Sequence, residues 1–143
     1  LSYSNSCIIR TVLVYGKYMD GRENLVSLTK KKLEAGEAFK VVNDQVRTPT
    51  YLIDLLNGIE AVVNKEAKGL FHISGCEMFT PYEIALETAT FLGLDTSLLI
   101  PVTKDTFKEI AQRPLFSGFN CQKAFDELGY KPTPFRSALK KIF

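Results

Sequence analysis

The stretch from Cys7 to Val14, CIIRTVLV, does most to limit the folds open to this chain. It is rich in β-branched residues and nearly continuous in apolar character. Such a run suits a strand buried on both faces, as in a parallel sheet. Parallel strands need crossover connections, usually helices, and the rest of the chain alternates accordingly. After Tyr15-Gly16 comes a polar loop from Lys17 to Glu23 that carries Gly21. A helix is then predicted from about Asn24 to Ala35, with Leu25, Leu28 and Leu33 on one face and Gly36 as its stop. Phe39 to Val42 reads as the next strand. Leu52, Leu55, Leu56, Ile59, Val62 and Val63 then recur at helical spacing until Gly69 breaks the pattern. Gly69 to Ser74, GLFHIS, is a short strand closed by Gly75.

The clearest local signal follows. Thr80 and Glu83 form a capping box with Pro81 at the first helical position, which starts a helix running to about Leu92 and ending near Gly93. Leu98 to Val102 is extended around Pro101. Thr103 is predicted to cap a short helix reaching Ile110. A further helix runs from Gln122 to Leu128 and stops at Gly129. Thr133-Pro134 starts a last one, with Phe135, Ala138, Leu139 and Ile142 on its inner face. Strands alternating with helices imply an α/β fold with right-handed crossovers. No internal repeat, low-complexity segment or interdomain linker interrupts residues 1–143.

Composition removes several function classes. The chain is 45% hydrophobic and 24% charged, which fits neither disorder nor a membrane protein. A formal charge of +2 argues against a broad phosphate-tracking surface, so neither nucleic acid nor membrane is expected as a partner. Lys30-Lys31-Lys32 and Lys140-Lys141 sit in helical patterns and read as solvated helix faces. Cys7, Cys76 and Cys121 are widely spaced, and His72 is the lone histidine, so no metal site is expected. Reduced thiols in a cytoplasmic protein are the plain reading. The chain begins at Leu1, without a methionine, directly ahead of a strand. That start looks like a cut through a longer protein.

The segment from Val41 to Leu55, VVNDQVRTPTYLIDL, carries the chemistry. A β-branched run ends in polar residues, and Arg47 stands just before a Thr-Pro-Thr turn. A guanidinium is a planar, permanently charged fork, and at the mouth of an α/β unit it suits a phosphate or pyrophosphate.

These residues resemble a family. The chain is similar to the C-terminal, substrate-binding part of the extended short-chain dehydrogenases/reductases, Rossmann-like α/β enzymes. Within that family it is most similar to nucleotide-sugar reductases and epimerases of the dTDP-4-dehydrorhamnose reductase group. Ile9-Arg10-Thr11 through Tyr15-Gly16 looks like the strand end that follows the family's catalytic helix. Val42 to Leu55 resembles its VxDQxxxPTxxxDL segment, and Gly69 to Ser74 its GxxHxS strand. Arg113-Pro114, Lys123-Ala124 and Leu128-Gly129-Tyr130-Lys131-Pro132 resemble its RP…KA…LGYKP ending.

The resemblance implies a parent that is an NAD(P)-dependent oxidoreductase acting on a nucleotide-linked sugar in dTDP-rhamnose-type biosynthesis. The parent would bind NAD(P) through an N-terminal Rossmann half of about 150–170 residues. Neither that half's glycine-rich turn nor the family's tyrosine with a lysine four residues later occurs here. The chain alone is therefore expected to carry no catalytic group and to bind no dinucleotide tightly. Arg47 and Arg113 would hold the substrate's diphosphate. The alternatives for Arg47 are an ordinary surface arginine or a salt bridge to Asp44, and for Arg113 a structural bridge to a carboxylate. Asn43 and Gln45, with Asp44, would contact sugar hydroxyls or satisfy turn backbone. Tyr15 and Tyr51 would pack on a base or sugar, or in the core.

Other polar residues read as structural. Asp54 should cap a helix starting at about Leu55. Arg10, if buried in its strand, needs an ion-pair partner. His72 reads as a core histidine with its hydrogen bonds satisfied. Leu13 departs from the family, many members of which place there an asparagine or tryptophan that touches the nucleotide-sugar. Leucine can neither donate nor accept a hydrogen bond, which keeps open a non-catalytic regulatory subunit of the same fold, as in the methionine adenosyltransferase regulatory protein. A third alternative is a self-sufficient interaction domain. A fragment would expose the strand Cys7–Val14 and pair with itself there, as a homodimer.

Overall fold

The computed structural model describes residues 5–17, 23–107 and 113–143. Among them, eight short strands run as four parallel pairs. β1 (Cys7–Arg10) lies beside β6 (Gly69–His72), with Cys7 opposite Gly69 and Arg10 opposite His72. β2 (Val14–Tyr15) pairs with β5 (Thr50–Tyr51), β3 (Phe39–Val42) with β7 (Leu99–Val102), and β4 (Val46–Arg47) with β8 (Phe116–Ser117). Each pair joins segments distant in sequence, so helices must carry the chain between them. α1 (Leu25–Glu34), α2 (Leu52–Asn64) and α3 (Pro81–Leu92) do so in a mixed α/β arrangement, and α4 (Phe135–Ile142) follows the last strand.

Local chemistry sets the helix ends. The Asn24 side chain accepts the Ser27 N–H at 3.1 Å, and the Ser27 hydroxyl accepts the Asn24 N–H at 3.0 Å. Thr80 Oγ1 accepts the Glu83 N–H at 3.1 Å while the Glu83 carboxylate accepts the Thr80 N–H at 2.7 Å. These reciprocal bonds satisfy donors that a helix start leaves without intrahelical partners. Gly93 ends α3 in the left-handed region, at φ 66°. The Gln122–Leu128 segment is helical as read from sequence, but Ala124–Leu128 winds as a π-helical turn before Gly129.

Three apolar clusters make the interior. Val26, Ile84, Phe135, Ala138 and Leu139 join α1, α3 and α4 around Tyr15 and Tyr51. Leu33, Val41, Ala85, Ala89 and Leu99 seat α1 and α3 on the β3–β7 pair. Val62, Phe71, Ile73, Ala124, Leu128 and Tyr130 seat α2 and the π-helical turn on β6. Gly58 lets α2 approach closely: a Cβ there would sit 2.7 Å from Cγ2 of the fully buried Ile73.

Several expectations need correction. Cys7–Val14 is not one strand buried on both faces. It breaks at Thr11–Leu13, and β1 alternates half-buried with exposed residues. Thr50 causes the break: its hydroxyl donates to the Val12 carbonyl at 2.7 Å, and its N–H donates to the Leu13 carbonyl at 3.1 Å. Leu13 is held at φ 45°. Arg10 is exposed and has no burial to compensate. On α1 Leu33 is buried as predicted, but the other buried residues are Val26 and Thr29, each one position on from the predicted Leu25 and Leu28.

Asp54 is not an N-cap. α2 starts at Leu52, and the buried Asp54 carboxylate accepts the Thr133 N–H at 2.6 Å and its hydroxyl at 2.9 Å. Thr103 gives no side-chain cap, and the described part of its helix is a single 3-10 turn, Lys104–Thr106. The Asp44 carboxylate takes the Lys104 N–H instead, at 3.0 and 3.1 Å. Phe107 is a bend, and the rest of that predicted helix, to Ile110, lies outside the described residues, as does most of the Lys17–Glu23 loop with Gly21. His72 is only half satisfied. Its Nδ1 lies 3.2 Å from the Asn120 carbonyl and its ring stacks on Phe119, but buried Nε2 has no hydrogen-bond partner among the described residues.

Candidate functional site

Where β3 and β7 end, the chain turns twice, through Asn43–Gln45 and through Thr103–Phe107. The two turns and Arg113 enclose a cleft of about 230 Å3. Lys40, Lys104 and Arg113 line it, with no carboxylate among the described lining residues. Gln45 and Phe107 also line it, and Pro81 contributes the start of α3. A small hollow with three cations, one amide and two aromatic rings, Phe39 and Phe107, suits an anion attached to a flat group.

Arg47 stands behind this cleft. It is buried, which a guanidinium tolerates only with several partners. Nη1 donates to the Val46 carbonyl at 2.8 Å and to the Pro114 carbonyl at 3.1 Å, and Nη2 donates to Gln45 Oε1 at 2.6 Å. It is neither a surface arginine nor bound to Asp44, which is engaged by the Lys104 backbone. The bond to Pro114 ties Arg47 to the residue after Arg113, and the bond to Gln45 fixes an amide that lines the cleft. Arg47 thus lies beside the Arg113–Pro114 turn but is not among the residues that line the cleft, so the two guanidinium groups do not both face it. Arg113 is exposed and meets the cleft directly; Arg47 holds the walls.

The remaining sequence candidates separate. Asn43 is at the rim, where its N–H donates to the Val102 carbonyl at 2.9 Å and its Oδ1 accepts the Thr80 hydroxyl at 2.9 Å. That pair joins the end of β3 to the cap of α3. Tyr15 is in the core, its ring centroid 5.0 Å from Phe135 and 5.8 Å from Tyr51. Burial, then the neighbouring Asp54 and Glu77 carboxylates, push its phenol well above the usual tyrosine range. The structure therefore puts Tyr15 in the interior and not at the cleft. Tyr51 is buried beside it.

Sequence reasoning missed Lys40, Lys104 and Phe107. Their common signal is the pairing of β3 with β7, which brings Lys40 opposite Ile100 and Val42 opposite Val102. It also missed a buried polar knot in which Ser74 Oγ lies 3.2 Å from Thr48 Oγ1 and 3.3 Å from Cys121 Sγ. The alternation of strands gives no hint of it.

A second hollow, about 730 Å3, lies between α1, Gly16–Lys17 and Ile142–Phe143. Two of its lysines are paired: Lys30 lies 2.6 Å from Glu34, and Lys31 2.8 Å from Glu23. Among the described residues no group of His, Cys, Asp or Glu could hold a metal ion, and no helix is long and apolar enough to cross a membrane.

Comparison with known proteins places this geometry. Residues 2–143 match the family described as the RmlD substrate binding domain. The spore coat polysaccharide biosynthesis protein SpsK of Bacillus subtilis is 34% identical over 99% of the chain, which covers 48% of that protein. The methionine adenosyltransferase 2 subunit beta of Mus musculus is 30% identical over 95% of the chain, covering 42% of its length. Among solved structures, the dTDP-4-dehydrorhamnose reductase of Bacillus anthracis in complex with NADP superposes with a TM-score of 0.83 at 27% identity. That match covers 96% of this chain and 47% of the other. The chain thus spans about half the length of the curated relatives it matches.

Proposed function

We infer a function from the family: the chain belongs to the RmlD substrate-binding domain family, and its cationic cleft takes the diphosphate of a nucleotide-sugar. In this reading residues 1–143 are the substrate-binding portion of an NAD(P)-dependent, dTDP-4-dehydrorhamnose reductase-like enzyme. The observation that carries it is the convergence of Arg113, Lys104 and Lys40 on one hollow whose wall Arg47 holds through Gln45 and Pro114.

The chemistry of this chain's residues is binding and orientation. Lys40, Lys104 and Arg113 neutralise phosphate oxygens, and Phe107 offers a ring face to the flat group attached to them. Held at its remote end, the substrate has its reacting carbonyl positioned elsewhere, and the binding energy reduces the entropy cost of reaction. A dinucleotide does not fit the residues present. Its pyrophosphate calls for a glycine-rich turn opening a helix. The described α-helices open instead on Asn24, Tyr51, Thr80 and Pro134. Hydride and proton transfer are assigned to the remainder of the parent enzyme.

Calorimetric titration with dTDP and with dTDP-glucose tests the reading. Arg113→Ala should weaken both by about tenfold to a hundredfold, the worth of one or two charge-assisted hydrogen bonds. In the parent enzyme Arg47→Ala should weaken the dTDP-sugar as well, by loosening Gln45 and the Arg113–Pro114 turn. Unchanged affinity in both variants would remove the assignment.

A second reading, a non-catalytic regulatory subunit, is favoured by the likeness to the methionine adenosyltransferase subunit and by Leu13, which offers no side-chain hydrogen bond. Binding to a methionine adenosyltransferase catalytic subunit, with no measurable affinity for nucleotide-sugars, would decide for it.

A further inference from the structure

An acidic residue stands at the edge of the cationic cleft without lining it. Asp44 lies between Asn43, at the rim, and Gln45, which lines the cleft. A carboxylate pointing into that hollow would repel the oxygens of an incoming phosphate. This one is turned onto the backbone instead. The Lys104 N–H donates to Asp44 Oδ1 at 3.0 Å and to Oδ2 at 3.1 Å.

The segment that receives this contact cannot hold its own shape. Lys104–Thr106 is a single 3-10 turn. Two backbone bonds close it: the Thr106 N–H donates to the Thr103 carbonyl at 3.0 Å, and the Phe107 N–H to the Lys104 carbonyl at 3.2 Å. One such turn is too short to be stable alone. Thr103 gives it no side-chain cap, and every residue from Thr103 to Phe107 is exposed. The β3–β7 ladder stops short of it, at the bond from the Asn43 N–H to the Val102 carbonyl. Among the described residues Asp44 is then the only side chain hydrogen-bonded to the turn. That turn brings Lys104 and Phe107, a cation and a ring, to the cleft. The neighbouring Gln45 serves the opposite wall: it binds Arg47, which holds the Pro114 carbonyl behind Arg113. Two adjacent residues of one connection thus fix both walls.

We propose that Asp44 is a positioning residue of the cleft: by holding the Lys104 N–H it sets where Lys104 and Phe107 meet the phosphate and the flat group of a nucleotide. It does not touch the sugar, since its carboxylate is engaged outside the cleft's lining. This role rests on the reading of the cleft as a nucleoside-diphosphate site and adds to it the group that shapes one wall.

Calorimetric titration of the chain with dTDP and with dTDP-glucose tests the role. Asp44→Ala should weaken both ligands by the same factor, about tenfold, the worth of one charge-assisted hydrogen bond from a displaced cation. Asp44→Asn keeps an acceptor for the Lys104 N–H and removes a negative charge, so it should restore both affinities to within about threefold of the wild type. Because Asp44 acts through Lys104, the Asp44→Ala/Lys104→Ala variant should lose clearly less than the product of the two single losses. Amide exchange at Lys104 should quicken in Asp44→Ala but not in Asp44→Asn, and unchanged exchange in α1 and α3 shows that the variants are folded. A loss confined to dTDP-glucose, independent losses in the double variant, or unchanged affinity in Asp44→Ala where Arg113→Ala weakens binding would each overturn the role and leave the cleft reading standing. A wild-type chain that binds neither ligand would remove the cleft reading, and this role with it.

Discussion

The α3–α4 side and the α2 side of this protein both carry apolar helix faces, yet they do opposite things with them. Ile84, Ala85 and Ala89 of α3 and Phe135, Ala138 and Leu139 of α4 are all buried. On α2 Leu52, Leu56, Ile59 and Val63 lie in the open, and the groups that turn inward include a glycine and a carboxylate. Periodicity therefore locates a helix but does not say how many of its faces are covered. α4 is closed over by carboxylates as well as by packing, for Glu77 accepts the Phe135 N–H and Asp54 holds Thr133 just before it.

Substitutions can break this contrast or sharpen it. The largest effect belongs to Leu139→Ala, at a fully buried site in the α1–α3–α4 cluster. It should cost about 2–5 kcal/mol in urea unfolding, as buried large-to-small changes do. Asp54→Ala links the two sides. It leaves the Thr133 N–H and hydroxyl without their acceptor and should cost about 1–3 kcal/mol. Asp54→Asn, which keeps an acceptor, should cost less.

Alkali should come next. Burial raises the Tyr15 and Tyr130 phenols above the ordinary value of 10.0, and Tyr130 OH also donates to the Ser74 carbonyl at 3.1 Å. A folded-state pKa above the unfolded one means that the unfolded chain loses its proton first. Stability is then constant below pH 10 and falls above it, by up to about 1.4 kcal/mol per pH unit for each tyrosine. Tyr15→Phe should flatten that fall by about half in a pH series of melting curves. The smallest effect is expected at Leu56→Ser on the open face of α2, within about 0.5 kcal/mol for the chain alone. A loss as large as that at Leu139 would show that this face is covered after all.

What could be read from the sequence was what depends on near neighbours. Thr80, Pro81 and Glu83 start α3 and Gly93 ends it because their partners lie within a turn. The parallel α/β class followed from alternating patterns, whereas of the two arginines Arg113 lines the cleft and Arg47 stands behind it. Asp54 was misread because its partner is 79 residues away, so proximity to the helix start was the sole clue in the sequence. Lys40, Lys104 and Phe107 went unnoticed for the same reason: they meet only once β3 and β7 pair. Tyr15 was open to two readings, since an aromatic ring at a strand end suits a ligand and a core equally well. Its contacts with Phe135, again far along the chain, decide its place.

Pro101 has a consequence at the far margin of the molecule. It sits within β7, where the Val102 carbonyl points toward Asn43 on β3. Backbone direction alternates along a strand, so Pro101 faces outward, at the one place where its missing N–H removes a rung from any incoming chain. Growth by strand addition is thus discouraged along the outer edge of β7.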